Sequence, residues 1–133
     1  MTHYYCPQCW HDFLIDHEIC PDCNFNIKEF FNSKDYIEKL IQALKSPEPS
    51  TPVRAAMILG RLKDIRAIQP LMECVNNNND VFIVLEAVKA LGKMVTLNVM
   101  MFLREKREHP SKMIRDEVQS ILDMLYDELK PKK

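Results

Sequence analysis

Four cysteines carry the plainest chemistry in this chain of 133 residues. Cys6-Pro7-Gln8-Cys9 and Cys20-Pro21-Asp22-Cys23 form two CPxC pairs separated by ten residues. Thiolates at C-x2-C-x10-C-x2-C spacing can close a tetrahedron around Zn2+, provided a short hairpin brings the two pairs together. Trp10, Phe13, Leu14, Ile15, Ile19, Phe25 and Ile27 surround them. So few residues cannot fold on their own apolar area, whereas structural zinc in finger peptides contributes an apparent ~10–16 kcal/mol near neutral pH. The metal is therefore expected to hold residues 1–27 together. Two disulfides are the competing use of four cysteines, and belong to oxidising compartments.

The segment resembles the short zinc ribbons at the ends of many prokaryotic proteins. Those knuckles commonly carry glycine after the second cysteine, where φ is positive; here Trp10 and Asn24 stand there. Asn tolerates that geometry and Trp resists it, so a distorted first knuckle is expected. Rubredoxin-like proteins use paired CPxC knuckles as well, which keeps iron as the alternative metal and a redox or thiol-sensing module as an alternative function. His3, His11 and His17 lie near the cysteines. With four sulfurs filling the coordination sphere, they are read as supporting or exposed residues rather than ligands.

Charge weighs against nucleic acid. Residues 1–27 contain Asp12, Asp16, Glu18 and Asp22 and neither Lys nor Arg. Phosphate binding needs cations that displace counterions, and this module offers none. The whole chain balances 18 basic against 19 acidic residues. A nucleic-acid-associated factor working through the ribbon and the tail Lys130-Pro131-Lys132-Lys133 thus stands only as an alternative.

Behind the cysteines the pattern turns helical. Residues 28–34 read as a junction, in which Phe30 and Phe31 pack one module on the other. Asp35 with Glu38 forms a capping box that opens a helix to about residue 45. Helices follow at about 52–62, 65–76, 80–94, 97–108 and 111–128. Thr51 is the expected cap of the first of these with Pro52 at its first position, Asp64 caps the next, and Asp80 and Ser111 cap later ones. Leu59 and Leu62 mark one apolar face, and Gly60 lets a neighbouring backbone come close. The segments Glu48 to Gly60, Asp80 to Gly92 and Ser111 to Asp123 superimpose without a gap, at spacings of 32 and 31 residues. Ala55, Ala87 and Val118 share one column, and Leu59, Leu91 and Leu122 another. The second helices repeat too, Ile37, Leu40, Ile41 and Leu44 preceding Ile68, Leu71, Met72 and Val75 by 31 residues. Such a period marks stacked helix pairs that cannot bury their faces singly.

LGRLKDIRAIQPL, Leu59 to Leu71, and DVFIVLEAVKALG, Asp80 to Gly92, resemble the short HEAT repeats of the phycobilisome-lyase type over about residues 35–127. Asp123 departs from the usual Gly and Val84 from a frequent Arg. The resemblance implies a short α-solenoid whose corner residues Asp64 and Arg66 tie adjacent units together. It implies protein binding through a groove formed by one row of helices, here the second-type helices near 65–76 and 97–108. Enzymes of this fold leave traces that are missing here: the hydroxylases use several His-Glu dipeptides at helix ends, and the only one is His17-Glu18. HEAT-like DNA glycosylases need a basic concave face, and the lyases are larger arrays.

The expected fold is mainly α: a zinc ribbon at 1–27, a junction at 28–34, HEAT-like repeats at 35–128 and a basic tail at 129–133. The expected function is a non-enzymatic, zinc-binding adaptor or scaffold for an unknown protein partner, with Cys6, Cys9, Cys20 and Cys23 as ligands. No apolar run reaches the ~20 residues of a spanning helix and the first residues lack a secretory pattern, so no membrane role and a cytoplasmic location are expected. The array opens with an unpaired second-type helix and closes with an unpaired first-type helix. Either the ribbon covers one open end, or the array pairs there with another copy or a partner. Cys74 reads as a core residue, as do Met100, Met101, Met113 and Met124 by their helical spacing.

Overall fold

Tyr4–Tyr5 (β1) and Asp12–Phe13 (β2) pair antiparallel, with Tyr4 opposite Phe13 and Tyr5 opposite Asp12. A computed structural model provides this geometry and describes residues 4–94 and 96–129. His3 and the tail from Lys130 to Lys133 lie outside the described residues. An isolated bridge between Ile19 and Asn26 closes the second cysteine loop. Cys6, Phe13, Cys20 and Ile27 form the small core of this module, with Tyr4, Phe25 and Phe31 packed around it.

The expected junction is itself helical. Helix α1 (Ile27–Ser33) starts at Asn26, whose side-chain oxygen accepts the Glu29 amide at 3.0 Å. Its first residue, Ile27, belongs to the core around the cysteines. Phe31 meets Tyr5 edge-on at 5.9 Å, and the Lys39 ammonium sits 5.8 Å from the Phe31 ring centre. Phe31 therefore bridges the cysteine module and the helix that follows.

That helix, α2 (Tyr36–Ala43), opens on the expected capping box: Asp35 accepts the Glu38 amide at 2.9 Å while Glu38 accepts the Asp35 amide. Then come α3 (Ser50–Leu62), α4 (Ile68–Asn77), α5 (Val81–Gly92), α6 (Leu97–Glu105) and α7 (Lys112–Leu129). Helix α3 starts two residues before Pro52, and its cap is not Thr51. The Glu48 carboxylate accepts the amides of Ser50 and Thr51 at 3.2 Å each and takes both their hydroxyls. A longer acidic side chain reaches more of the unpaired first-turn amides than a threonine hydroxyl can. Pro52 still fits, because a first-turn amide has no partner within the helix.

The corner between α3 and α4 follows the sequence. Lys63 ends α3 in the left-handed region at φ 54°. Asp64 accepts the Arg66 amide at 2.9 Å and opens a 3-10 turn, Ile65–Ala67, that runs into α4. Arg66 then donates to Asp64 at 3.0 Å and to Asp35 at 2.7 Å. The corner of one unit is thereby fastened to the cap of α2 in the unit before it.

Helix α5 lies at the centre, packed on α3, α4 and α7. The repeat columns point inward: Ala55, Ala87 and Val118 are buried, as are Leu59 and Leu91. A Cβ on Gly60 would lie 2.9 Å from the Ala90 Cα, so this glycine sets how closely α3 meets α5. Leu62 departs from its expected face and is 47% exposed, because α3 ends there and the chain turns away. Of the four methionines expected in the core, Met101, Met113 and Met124 are 57%, 43% and 63% exposed, and Met100 alone packs against the core. Helical spacing identifies a stripe but not which stripe a neighbour covers. Helix α7 shows the cause. The columns that place Pro52, Ala56, Val84 and Val88 in the core place Arg115 and Gln119 there in α7, and Gln119 is exposed. Helix α7 thus turns a polar stripe where α3 and α5 meet their second-type helices.

Candidate metal centre

The two CPxC loops are built alike. In the first, the Cys6 amide donates to the His11 carbonyl at 3.0 Å and the Trp10 amide to the Cys6 carbonyl at 2.8 Å. In the second, the Cys20 amide donates to the Phe25 carbonyl at 2.8 Å and the Asn24 amide to the Cys20 carbonyl at 2.9 Å. Trp10 and Asn24 both take left-handed backbone, at φ 67° and 65°. The expected distortion of the first knuckle is thus absent. Trp10 adopts the conformation that glycine usually supplies, at a backbone cost of ~1–2 kcal/mol. Its indole lies flat on Tyr5, centroids 5.6 Å apart and 9° from parallel, and this stack of about 0.5–1.5 kcal/mol offsets much of that cost.

These loops bring the four sulfurs of Cys6, Cys9, Cys20 and Cys23 within 4.8 Å of one another. Cys6 Sγ is 3.5 Å from Cys23 Sγ, and Cys9 Sγ is 3.6 Å from Cys20 Sγ. A tetrahedron with metal–sulfur bonds of ~2.3 Å has edges of about 3.8 Å, so this set fits a divalent ion once the short pairs open by a few tenths of an ångström and the widest closes by up to about 1 Å. None of the four is in a disulfide. Backbone amides support the sulfurs as they would support thiolates: Gln8 and Cys9 donate to Cys6 Sγ at 3.4 and 3.5 Å, and Asp22 donates to Cys20 Sγ at 3.4 Å.

The thiols of Cys20 and Cys23 are driven apart. Burial pushes the Cys23 thiol up to about 12, with the sulfurs of Cys6, Cys20 and Cys9 adding to the rise. Burial acts in the same direction on Cys20, but the amides of Cys23 and Asp22 and the neighbouring sulfurs outweigh it and bring that thiol down to about 7. Without a cation, one thiolate forms at the expense of its neighbours. A divalent ion removes the conflict by replacing the protons.

His11 and His17 stay outside the sulfur cluster. His11 Nδ1 lies 2.6 Å from Asp22 Oδ2 and links the two loops. Its ring stacks on Phe13 at 4.9 Å, while His17 meets the same ring edge-on at 4.7 Å. Cys74 is buried in α4, where burial raises its thiol, and it takes no part in the centre.

Behind the sulfur cluster, residues 37–125 match the sequence profile of the HEAT repeats. The chain belongs to the HEAT-repeat family. No curated protein matches the chain. The matched residues begin after the fourth cysteine, so membership accounts for the helical array and leaves the sulfur cluster to its own geometry. HEAT repeats commonly mediate protein–protein interaction.

The array and the cysteine module touch at α2, where Gln42 donates to the Pro7 carbonyl beside the first cysteine. On the second-type row, Ile65, Ile68 and Met72 face Met101 and Phe102 across a groove of about 630 Å3. Ile65 is 76% exposed and Met101 lies open beside it. Among the described residues no helix is long and apolar enough to cross a membrane.

Proposed function

We propose that this protein is a non-enzymatic adaptor of the cytoplasm, in which structural zinc folds the N-terminal module and the HEAT array captures a protein partner. The observation that carries the reading is the groove between the 3-10 turn and α4 on one side and α6 on the other. Removing exposed apolar area from water contributes ~25 cal/mol per Å2, which an open Ile65 and Met101 leave unused in the free chain. Zinc is the metal of choice because four sulfurs form a closed set with no open position for a substrate, the arrangement typical of structural sites. A zinc ribbon of this kind anchors on α2 and extends the array at its N-terminal end.

The test is affinity capture from the source cell, with metal analysis of the same sample. Wild-type chain is expected to retain about one equivalent of zinc and a reproducible partner, and Met101→Asp to keep the zinc and lose the partner. Equal capture by both chains would overturn the groove, and iron in place of zinc would move the reading to a redox module.

A further inference from the structure

A second cavity lies away from the array groove, between the hairpin and α1. It measures about 650 Å3, and Tyr4, Tyr5, Phe13 and Phe31 form much of its wall. Asp16 and Glu18, both exposed, stand at the same cavity. We propose that this cavity binds a lysine or arginine side chain presented by a protein partner, at a site distinct from the groove between α4 and α6.

Three observations converge on a cation. The faces of aromatic rings attract positive charge, and Phe31 already draws the Lys39 ammonium to 5.8 Å of its centre. Two carboxylates in the lining outnumber its one ammonium, that of Lys28. Beyond the lining, residues 4–27 carry Asp12, Asp16, Glu18 and Asp22 and no Lys or Arg, and a divalent ion on four thiolates adds a formal charge of about −2. A nucleic-acid strand meets repulsion here, and an acidic peptide likewise. A basic side chain meets a negative field over an aromatic floor.

The site draws one positive charge towards Tyr5, whose ring is held edge-on to Phe31 and flat against Trp10. These contacts fix the walls before a ligand arrives, so little ordering cost falls on binding.

The probe is N-acetyl-tetralysine amide, titrated into the zinc-loaded full chain and followed by 1H–15N correlation spectra, with N-acetyl-tetraglutamine amide as the neutral counterpart. Saturable shifts are expected at Tyr5, Phe13, His17 and Phe31 with tetralysine only, weakening as salt rises. Tyr5→Leu keeps an apolar wall and removes the ring, and about a fivefold loss of affinity is expected. Asp16→Asn alters one exposed charge without disturbing the core, and about a twofold loss is expected. Should Tyr5→Leu lose its zinc or its fold, Asp16→Asn decides the matter. Equal shifts with tetraglutamine, no saturable shift with tetralysine, or unchanged affinity in a folded variant would each overturn the site. None of these results bears on the α4–α6 groove, which lies on other residues.

Discussion

Replacing Gly60 with alanine tests how the helical units are stacked. The added methyl would sit 2.9 Å from Ala90 Cα, 3.0 Å from Ala90 Cβ and 3.6 Å from Lys93 Cδ. Carbon pairs prefer ~3.5–4.0 Å, so α3 and α5 must separate by about 0.5–1 Å, which forfeits roughly a quarter to a half of each contact along the seam. The obstacle is backbone and cannot rotate away. Overpacking of this kind costs ~1–3 kcal/mol, while exchanging a helical glycine for alanine returns ~1 kcal/mol of helix propensity. The balance is a net loss of up to about 2 kcal/mol, or a fall in Tm of up to about 8 °C. Gly92→Ala provides the contrast. Its methyl would meet Ile121 at 2.7, 3.1 and 3.2 Å, all side-chain atoms on α7. The Ile121 Cδ1 can swing away about χ2 and its Cγ atoms need give by only a few tenths of an ångström, so Gly92→Ala is expected to cost less than Gly60→Ala. Thermal melts followed by circular dichroism at 222 nm, with zinc held in excess, measure both. A Gly60→Ala chain that melts higher than its parent would refute the close approach of α3 and α5.

Three further outcomes follow from the same structure. Chelation under reducing conditions should change the emission of Trp10, the single tryptophan, while leaving most of the 222 nm signal from α3 to α7; loss of both together would mean that the array depends on the metal. Trp10→Gly removes the left-handed strain and the Tyr5 stack at once, so zinc affinity by chelator competition should change by less than about tenfold; Trp10→Val keeps the strain without the stack and should weaken zinc by more than about tenfold. The Glu38 amide, then Arg66, hold the Asp35 carboxyl below its usual range, and Arg66 does the same for Asp64. Both groups therefore add stability that is fully present above about pH 4 and lost as pH falls through their lowered values. Arg66→Ala should narrow its stability gap to the parent as melts are taken from pH 6 to below 3, and a constant gap would argue against the pairing.

The cysteine spacing was enough to propose the metal set, because two CPxC loops joined by ten residues leave few ways to arrange four sulfurs. The 31- and 32-residue period likewise gave the helix pairs, their caps at Asp35, Asp64 and Asp80, and the glycine at the α3–α5 seam. Both signals are local or strictly periodic, so each residue's role repeats with its position. Helix α1 carries a local signal too, Asn26 standing three residues before Glu29, but the mixed charge and paired aromatics of residues 28–34 read equally as a packing junction.

Tertiary structure decided what local pattern leaves open. Which methionines are covered depends on where a neighbouring helix ends, so Met100 is packed while Met101 and Met124 face out. Whether Trp10 accepts a positive φ depends on Tyr5 lying beneath its indole, five positions earlier and on a strand. The aromatic cavity joins Tyr4 and Tyr5 to Phe31, residues whose nearness no periodicity encodes. Spacing along a chain fixes which groups can act together when the chain is short or repetitive between them; burial and enclosure are properties of surfaces meeting, and appear only when the elements are packed.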